Sequence, residues 1–208
     1  MKRVITFFLA LTMAISLVAC GNKSVNDGVS SSDDMSQSPP PATDKTEFEP
    51  VSLGDFSAQD FDGNTVTKDV FADYDLTMIN LWTTTCGYCI EEMPVLNELR
   101  KEIQNDSVRF NIISVCMDIG NTEKINEANL NKAKEIIEKA GVEYLNLIPD
   151  NVLLEGRLKG IQAFPESFFV DRQGNVVSEP YVGAMSKNHW HVTMDNEIKK
   201  NVQNENEE

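Results

Sequence analysis

The segment Leu76-Thr-Met-Ile-Asn-Leu-Trp82 is apolar along most of its length, and Cys86-Gly-Tyr-Cys89 begins four residues after its last member. A run that is apolar on both faces reads as a central strand, which must be covered on both sides. Beyond the cysteines, Met93, Leu96, Leu99 and Ile103 recur at helical spacing, with Pro94 inside the pattern. The cysteine pair therefore falls where a buried strand gives way to a helix.

The same alternation continues. Val108 to Val115 reads as a second strand with Cys116 at its end. Ile125, Ala128, Ala133, Ile136, Ile137 and Ala140 mark an amphipathic helix stopped by Gly141. Tyr144 to Ile148 reads as a short strand and Val152 to Leu158 as a short helix. Ser167 to Val170 and Val176 to Tyr181 form a hairpin around Asp171-Arg-Gln-Gly174. Trp190, Met194, Ile198 and Val202 stripe a last helix. Strand and helix in turn predict an α/β sheet covered by helices.

The ends differ in composition. Lys2 and Arg3 precede an apolar run from Val4 to Ala19, and the run closes on Leu17-Val18-Ala19-Cys20. A basic start, a short apolar stretch and a small residue before the cut predict a signal peptide over 1–19. Residues 20–49 are rich in Ser, Asp and Pro and cannot bury enough apolar surface to fold, so they read as a flexible tether. The folded domain is expected over 50–202, with a polar tail over 203–208. The formal net charge is −15, and −17 once a leader carrying Lys2 and Arg3 is removed. Such a charge argues against nucleic acid as a partner, because Lys and Arg supply that affinity.

Four cysteines are too few for a disulfide scaffold once Cys20 is set aside. In an exported chain a CxxC is redox-active, a static disulfide or half of a metal site. No second pair of zinc ligands is visible, and the two histidines, His189 and His191, read as solvated. No metal is expected. At a helix start the Cys86 sulfur meets unpaired N–H groups and the positive end of the dipole, which favour the nucleophilic thiolate. Cys89, one helical turn on, is placed to resolve a mixed disulfide.

These residues resemble the active site of thioredoxin-fold proteins of the membrane-tethered TlpA/ResA type. Trp82 stands four residues before the first cysteine, and Pro94 five after the second. Asn80 takes the place of a buried Asp, and Phe164-Pro165 precedes the strand Ser-Phe-Phe-Val-Asp171. The resemblance spans about 50–202. It implies a thioredoxin-like fold with a central mixed sheet flanked by helices, and a thiol-disulfide oxidoreductase. Cys86 would be its nucleophile and Cys89 its resolving thiol. Pro165 would be a cis-proline in the substrate groove, with Trp82, Tyr88 and Phe164 contacting substrate. No cofactor is implied beyond the Cys86–Cys89 disulfide. Leu-Val-Ala-Cys resembles a bacterial lipobox, which implies a lipid on Cys20 and a place on the outer face of the cell membrane. The implied partners are an exported client carrying a disulfide and a membrane thiol-disulfide electron donor, with the chain a monomer acting as a reductase.

Glu92 matches the acidic residue that ResA-like proteins place near their cysteines. Two readings stand: a proton relay to Cys89 from a partly buried pocket, or a first-turn carboxylate favouring the helix dipole, which Glu91 could equally be. Cys116 reads as a small buried hydrophobe, with a third redox role as the alternative. Three departures from the pattern stand out. Thr85 replaces the Trp before the first cysteine, Gly87-Tyr88 replaces Gly-Pro, and Phe164 is bulkier than the usual residue, which implies a narrower or more apolar substrate groove. A peroxiredoxin motif is absent, since Ile79 stands where its proline would. A non-catalytic thioredoxin-fold lipoprotein that binds a metal or ligand is the competing function.

Overall fold

The computed structural model describes residues 48–103 and 108–203. The leader, Cys20, residues 20–47 of the tether and 204–208 of the tail lie outside the described residues.

Along the chain the elements are β1 (Val51–Ser52), β2 (Ser57–Asp60), β3 (Thr65–Thr67), β4 (Leu76–Trp82), α1 (Gly87–Ile103), β5 (Phe110–Cys116), β6 (Gly120–Asn121) and β7 (Lys124–Ile125). Then come α2 (Glu127–Lys139), β8 (Leu145–Ile148), α3 (Asn151–Glu155), β9 (Glu166–Val170), β10 (Asn175–Val176), β11 (Tyr181–Val182) and α4 (Lys187–Ile198). A 3-10 turn at Lys68–Phe71 follows β3, and a π-helical turn at Lys199–Gln203 follows α4.

The main sheet runs β1-β10-β9-β4-β5-β8-β2-β3, with β11 also paired to β9. β4, β5 and β8 are parallel, while β9 and β2 lie antiparallel on either side of them. The sheet is mixed and flanked by helices, a thioredoxin-like α/β fold.

Every residue of β4 is buried, as the unbroken apolar run requires. The two-residue strand period divides it between two faces. Ile79 and Leu81 enter a cluster with Phe56, Phe71, Ile113 and Phe168. On the other face Leu76 and Met78 join Leu96 and Leu99 of α1 and Trp190 and Met194 of α4. Burying each such side chain contributes about 1.5–3 kcal/mol. Trp82, at the strand's end, joins Cys89, Met93, Cys116 and Leu130 in a third cluster.

A buried polar row separates the second and third clusters. Ser167, Asn80, Ser114 and Asn146 occupy one register position across β9, β4, β5 and β8. Asn80 donates to Ser167 Oγ at 3.0 Å, and Ser114 donates to Asn146 Oδ1. Pairing within the row satisfies groups that would otherwise be desolvated without partners.

Two tight turns repeat one device. Asp60 accepts from the backbone and side chain of Asn64, and Asp171 does the same for Asn175. Gly63 and Gly174 supply the left-handed φ that each turn requires, at 88° and 84°.

Several boundaries differ from expectation. Ile125 lies in β7 rather than α2, because Asn126 caps that helix by accepting from Asn129 N–H. The helix expected over Val152 to Leu158 ends at Glu155, before Gly156. The second hairpin arm is broken into β10 and β11. Between them Ser178 Oγ accepts from Phe169 N–H, and Pro180 has no N–H to give. Cys116 lies within β5, one residue beyond the expected end. After α4, Asn201 Nδ2 donates to Glu197 O and Oε2, both at 2.9 Å.

Candidate active site

The site begins where β4 stops. Met117 N–H donates to Trp82 O at 2.8 Å, extending the parallel pairing past the strand. Thr83, Thr84 and Thr85 then form a turn, closed by Cys86 N–H on Thr83 O at 3.1 Å. Cys86 O accepts the first helical bond, from Ile90 N–H at 3.2 Å, so Cys86 occupies the capping position of α1. Its sulfur takes the place of a capping oxygen and accepts from Cys89 N–H at 3.2 Å. The same geometry stabilises a thiolate when the pair is reduced.

Cys86 and Cys89 form a disulfide with Cα atoms 5.3 Å apart. Their exposures differ. Cys86 is half-buried, Cys89 is 1% exposed, and Tyr88 between them is 73% exposed. The outer sulfur can meet an incoming disulfide, while the inner one is reached only through Cys86.

The Phe164–Pro165 peptide bond is cis. Phe164 and Cys86 pack on the same cluster, the one that holds Trp82, Cys89 and Met93. Pro165 is buried, and its carbonyl accepts from Gly183 N–H at 2.8 Å. Glu166, the next residue, pairs with Arg157 at 3.0 Å, and the Arg157 guanidinium lies 4.1 Å over the Phe168 ring.

Trp82 does not take the substrate-contacting place expected for it. It is fully buried and forms the floor under Cys89, so its contribution is packing. His189 and His191 are exposed on α4. Among the described residues no group of three or more His, Cys, Asp or Glu side chains is placed to hold a metal ion.

Glu92 is 4% exposed, and burial raises its pKa above the ordinary carboxylate value. Its Oε1 accepts from Trp190 Nε1 at 2.6 Å and Met185 N–H at 2.7 Å, which offset part of that rise. Oε2 has no hydrogen-bond partner, and neither has the buried hydroxyl of Tyr144. The hydrogen bonds of Glu92 thus run to α4 and to Met185 just before it rather than to a cysteine. The first turn of α1 carries no acidic residue, so neither Glu91 nor Glu92 serves as the dipole carboxylate of the alternative reading.

Cys116 is a free, fully buried thiol. Its sulfur donates to Asp118 Oδ1 at 3.2 Å, and burial together with that carboxylate pushes its pKa far up. Asp118 also receives N–H and Oγ1–H of Thr84, two residues before Cys86. Sequence reasoning missed Asp118 and Thr84, which carry no motif. It also placed Trp190 only in an apolar stripe. A buried indole N–H needs an acceptor, and that need was the available signal.

The sequence model of the AhpC/TSA family matches residues 52–179. Over 187 residues the chain is 26% identical to the thiol:disulfide interchange protein DsbE of Haemophilus influenzae, covering 90% of this chain and 88% of that one. Over 109 residues it is 27% identical to the thiol-disulfide oxidoreductase ResA of Bacillus thuringiensis, covering 52% of this chain and 56% of that one. Among solved structures it is similar to a thioredoxin-family thiol:disulfide interchange protein from Chlorobium tepidum. That match has a TM-score of 0.55 and 22% identity, over 70% of this chain and 94% of the other. With a capping cysteine, a buried partner one turn on and a cis-proline loop on the same cluster, the chain belongs to the AhpC/TSA family, as a thiol-disulfide oxidoreductase of the TlpA/ResA type.

Proposed function

We propose that this oxidoreductase works outside the cytoplasm as a disulfide reductase for exported proteins, held to the membrane by a lipid on Cys20. The leader-like start ending in Leu-Val-Ala-Cys and the Ser- and Pro-rich 20–49 stretch support the location. The observation that carries the chemistry is the asymmetry of the pair, with an accessible Cys86 capping α1 and a buried Cys89 behind it.

The Cys86 thiolate attacks one sulfur of a client disulfide. A Cys86–client bond forms, and the other client sulfur leaves as thiolate. Cys89, deprotonated, then attacks Cys86, which closes the Cys86–Cys89 disulfide and releases the second client thiol. Two electrons have passed to the client, and a membrane thiol-disulfide donor returns two to the chain. The redox group is the disulfide itself, and the chain acts as a monomer. Tyr88, between the cysteines, and Phe164 contact the client, while Pro165 lines the groove.

In this reading Glu92 takes the Cys89 proton as that sulfur attacks. It lies three residues on along α1, and one of its oxygens is unengaged. The test is reduction of a protein disulfide by the dithiol form of Glu92→Gln. The relay predicts slower resolution and a shifted Cys89 titration, and unchanged rates and cysteine pKa values would exclude it.

A further inference from the structure

The turn that delivers Cys86 has no helical or strand ladder of its own, yet Thr84 within it is 3% exposed. Its two donors need acceptors, and both find one carboxylate. Thr84 N–H lies 3.0 Å from Asp118 Oδ1 and 3.1 Å from Oδ2, and Thr84 Oγ1–H lies 2.7 Å from Oδ2. Asp118 is fixed in turn. Met117 N–H holds Trp82 O, and the Asp118 carbonyl accepts from Asn129 Nδ2 of α2 at 2.6 Å. Cys116 Sγ completes the set at 3.2 Å. Among the described residues the carboxylate's partners are Thr84 and Cys116, with no cation among them.

We propose that Asp118 is a positioning residue for the reaction. It clamps the turn that presents Cys86, and its uncompensated charge holds the Cys86–Cys89 couple toward the disulfide, which makes the dithiol a stronger reductant. The inference rests on the exchange activity proposed above.

The sign follows from Coulomb repulsion. The helix N-terminus stabilises a Cys86 thiolate, and the negative charge of the carboxylate bonded to Thr84, two residues before Cys86, opposes it. Destabilising the thiolate disfavours the reduced form, so the equilibrium with thiols shifts toward disulfide. In the first two turns of α1 the titratable groups are Tyr88, Cys89, Glu91 and Glu92, β5 carries Cys116, and the first two turns of α2 carry Glu127 and Lys132. Of these Glu92 is engaged by Trp190 and Met185, and Cys116 stays protonated.

The test measures the equilibrium of the full chain with glutathione, in which two glutathione thiols reduce Cys86–Cys89 and leave as one glutathione disulfide. Asp118→Asn keeps an acceptor for Thr84 and removes the charge. It is expected to raise the constant for dithiol formation about tenfold, equivalent to about 30 mV. Thr84→Val keeps the charge, removes the hydroxyl bond, and is expected to stay within about twofold of wild type. Asp118→Ser replaces the amide variant if that one does not fold, with the same shift expected. A folded Asp118 variant with the wild-type constant overturns the proposal, as does a Thr84→Val shift as large as that of Asp118→Asn. A wild-type chain with no reversible exchange overturns instead the activity on which the proposal rests.

Discussion

The indole Nε1 of Trp190 donates to Glu92 Oε1 at 2.6 Å, joining the last helix to the helix that carries the cysteines. Met185 N–H adds a second bond to the same oxygen, and Gly183 N–H holds the carbonyl of Pro165. One short segment, 183–185, therefore ties the cis-proline loop to the carboxyl on α1. The stability of this link and the proposed proton relay share a residue.

That sharing has a measurable cost. Burial raises the Glu92 pKa, and the two hydrogen bonds reverse only part of the rise. A carboxyl raised in the folded chain binds its proton more tightly there than in the unfolded chain. Its contribution is full below the unfolded value and is lost as pH rises through the folded one. Glu92→Gln keeps an oxygen for both donors and cannot ionise. Denaturant titrations are expected to show the variant level with wild type near about pH 3.5 and about 1 kcal/mol more stable near about pH 8.

Asp75 behaves in the opposite sense. Burial alone would raise its pKa, but Arg109 N–H, the Arg109 guanidinium and Arg172 outweigh it and hold the pKa below the usual value. These bonds fasten the start of β4 to the start of β5 and to the turn after β9. A depressed carboxylate stabilises above its unfolded pKa, and that stability is lost as pH falls through the folded one. Both arginines are well exposed, so the contribution is modest. Asp75→Asn is expected to lose about 1 kcal/mol at neutral pH, with the gap to wild type closing below about pH 4.

The pair Arg157–Glu166 stands immediately after the cis-proline, with side chains 18% and 10% exposed. Removing one member leaves the other charge with no partner in a dry setting. Arg157→Ala also strips the guanidinium from the Phe168 ring. Thermal and denaturant unfolding are expected to show a loss of about 3 kcal/mol. Arg157→Met with Glu166→Gln is expected to recover most of it.

The strand Leu76–Trp82, the helix after the cysteines and the α/β order were legible because each is a local pattern of apolar residues. Cys86 at the helix start was legible for the same reason. Three features were not. The Asp118 clamp joins residues 34 apart in sequence, and the Trp190–Glu92 bond joins residues 98 apart. The polar row Ser167–Asn80–Ser114–Asn146 depends on strand register across four strands. No periodicity encodes such pairings, which appear only once the sheet has assembled. Ile125 and the broken hairpin arm failed differently. There Asn126 and Ser178 satisfied backbone groups locally and moved the element ends.

In the proposed function Cys86 and Cys89 give electrons to a client disulfide. The most direct measurement is the reduction potential of the full chain, poised in dithiothreitol and glutathione buffers with the thiol state read by alkylation. A reversible two-electron transition near about −270 mV or lower is predicted. A transition near about −120 mV would make the chain an oxidant, and no reversible transition would contradict exchange through this pair altogether.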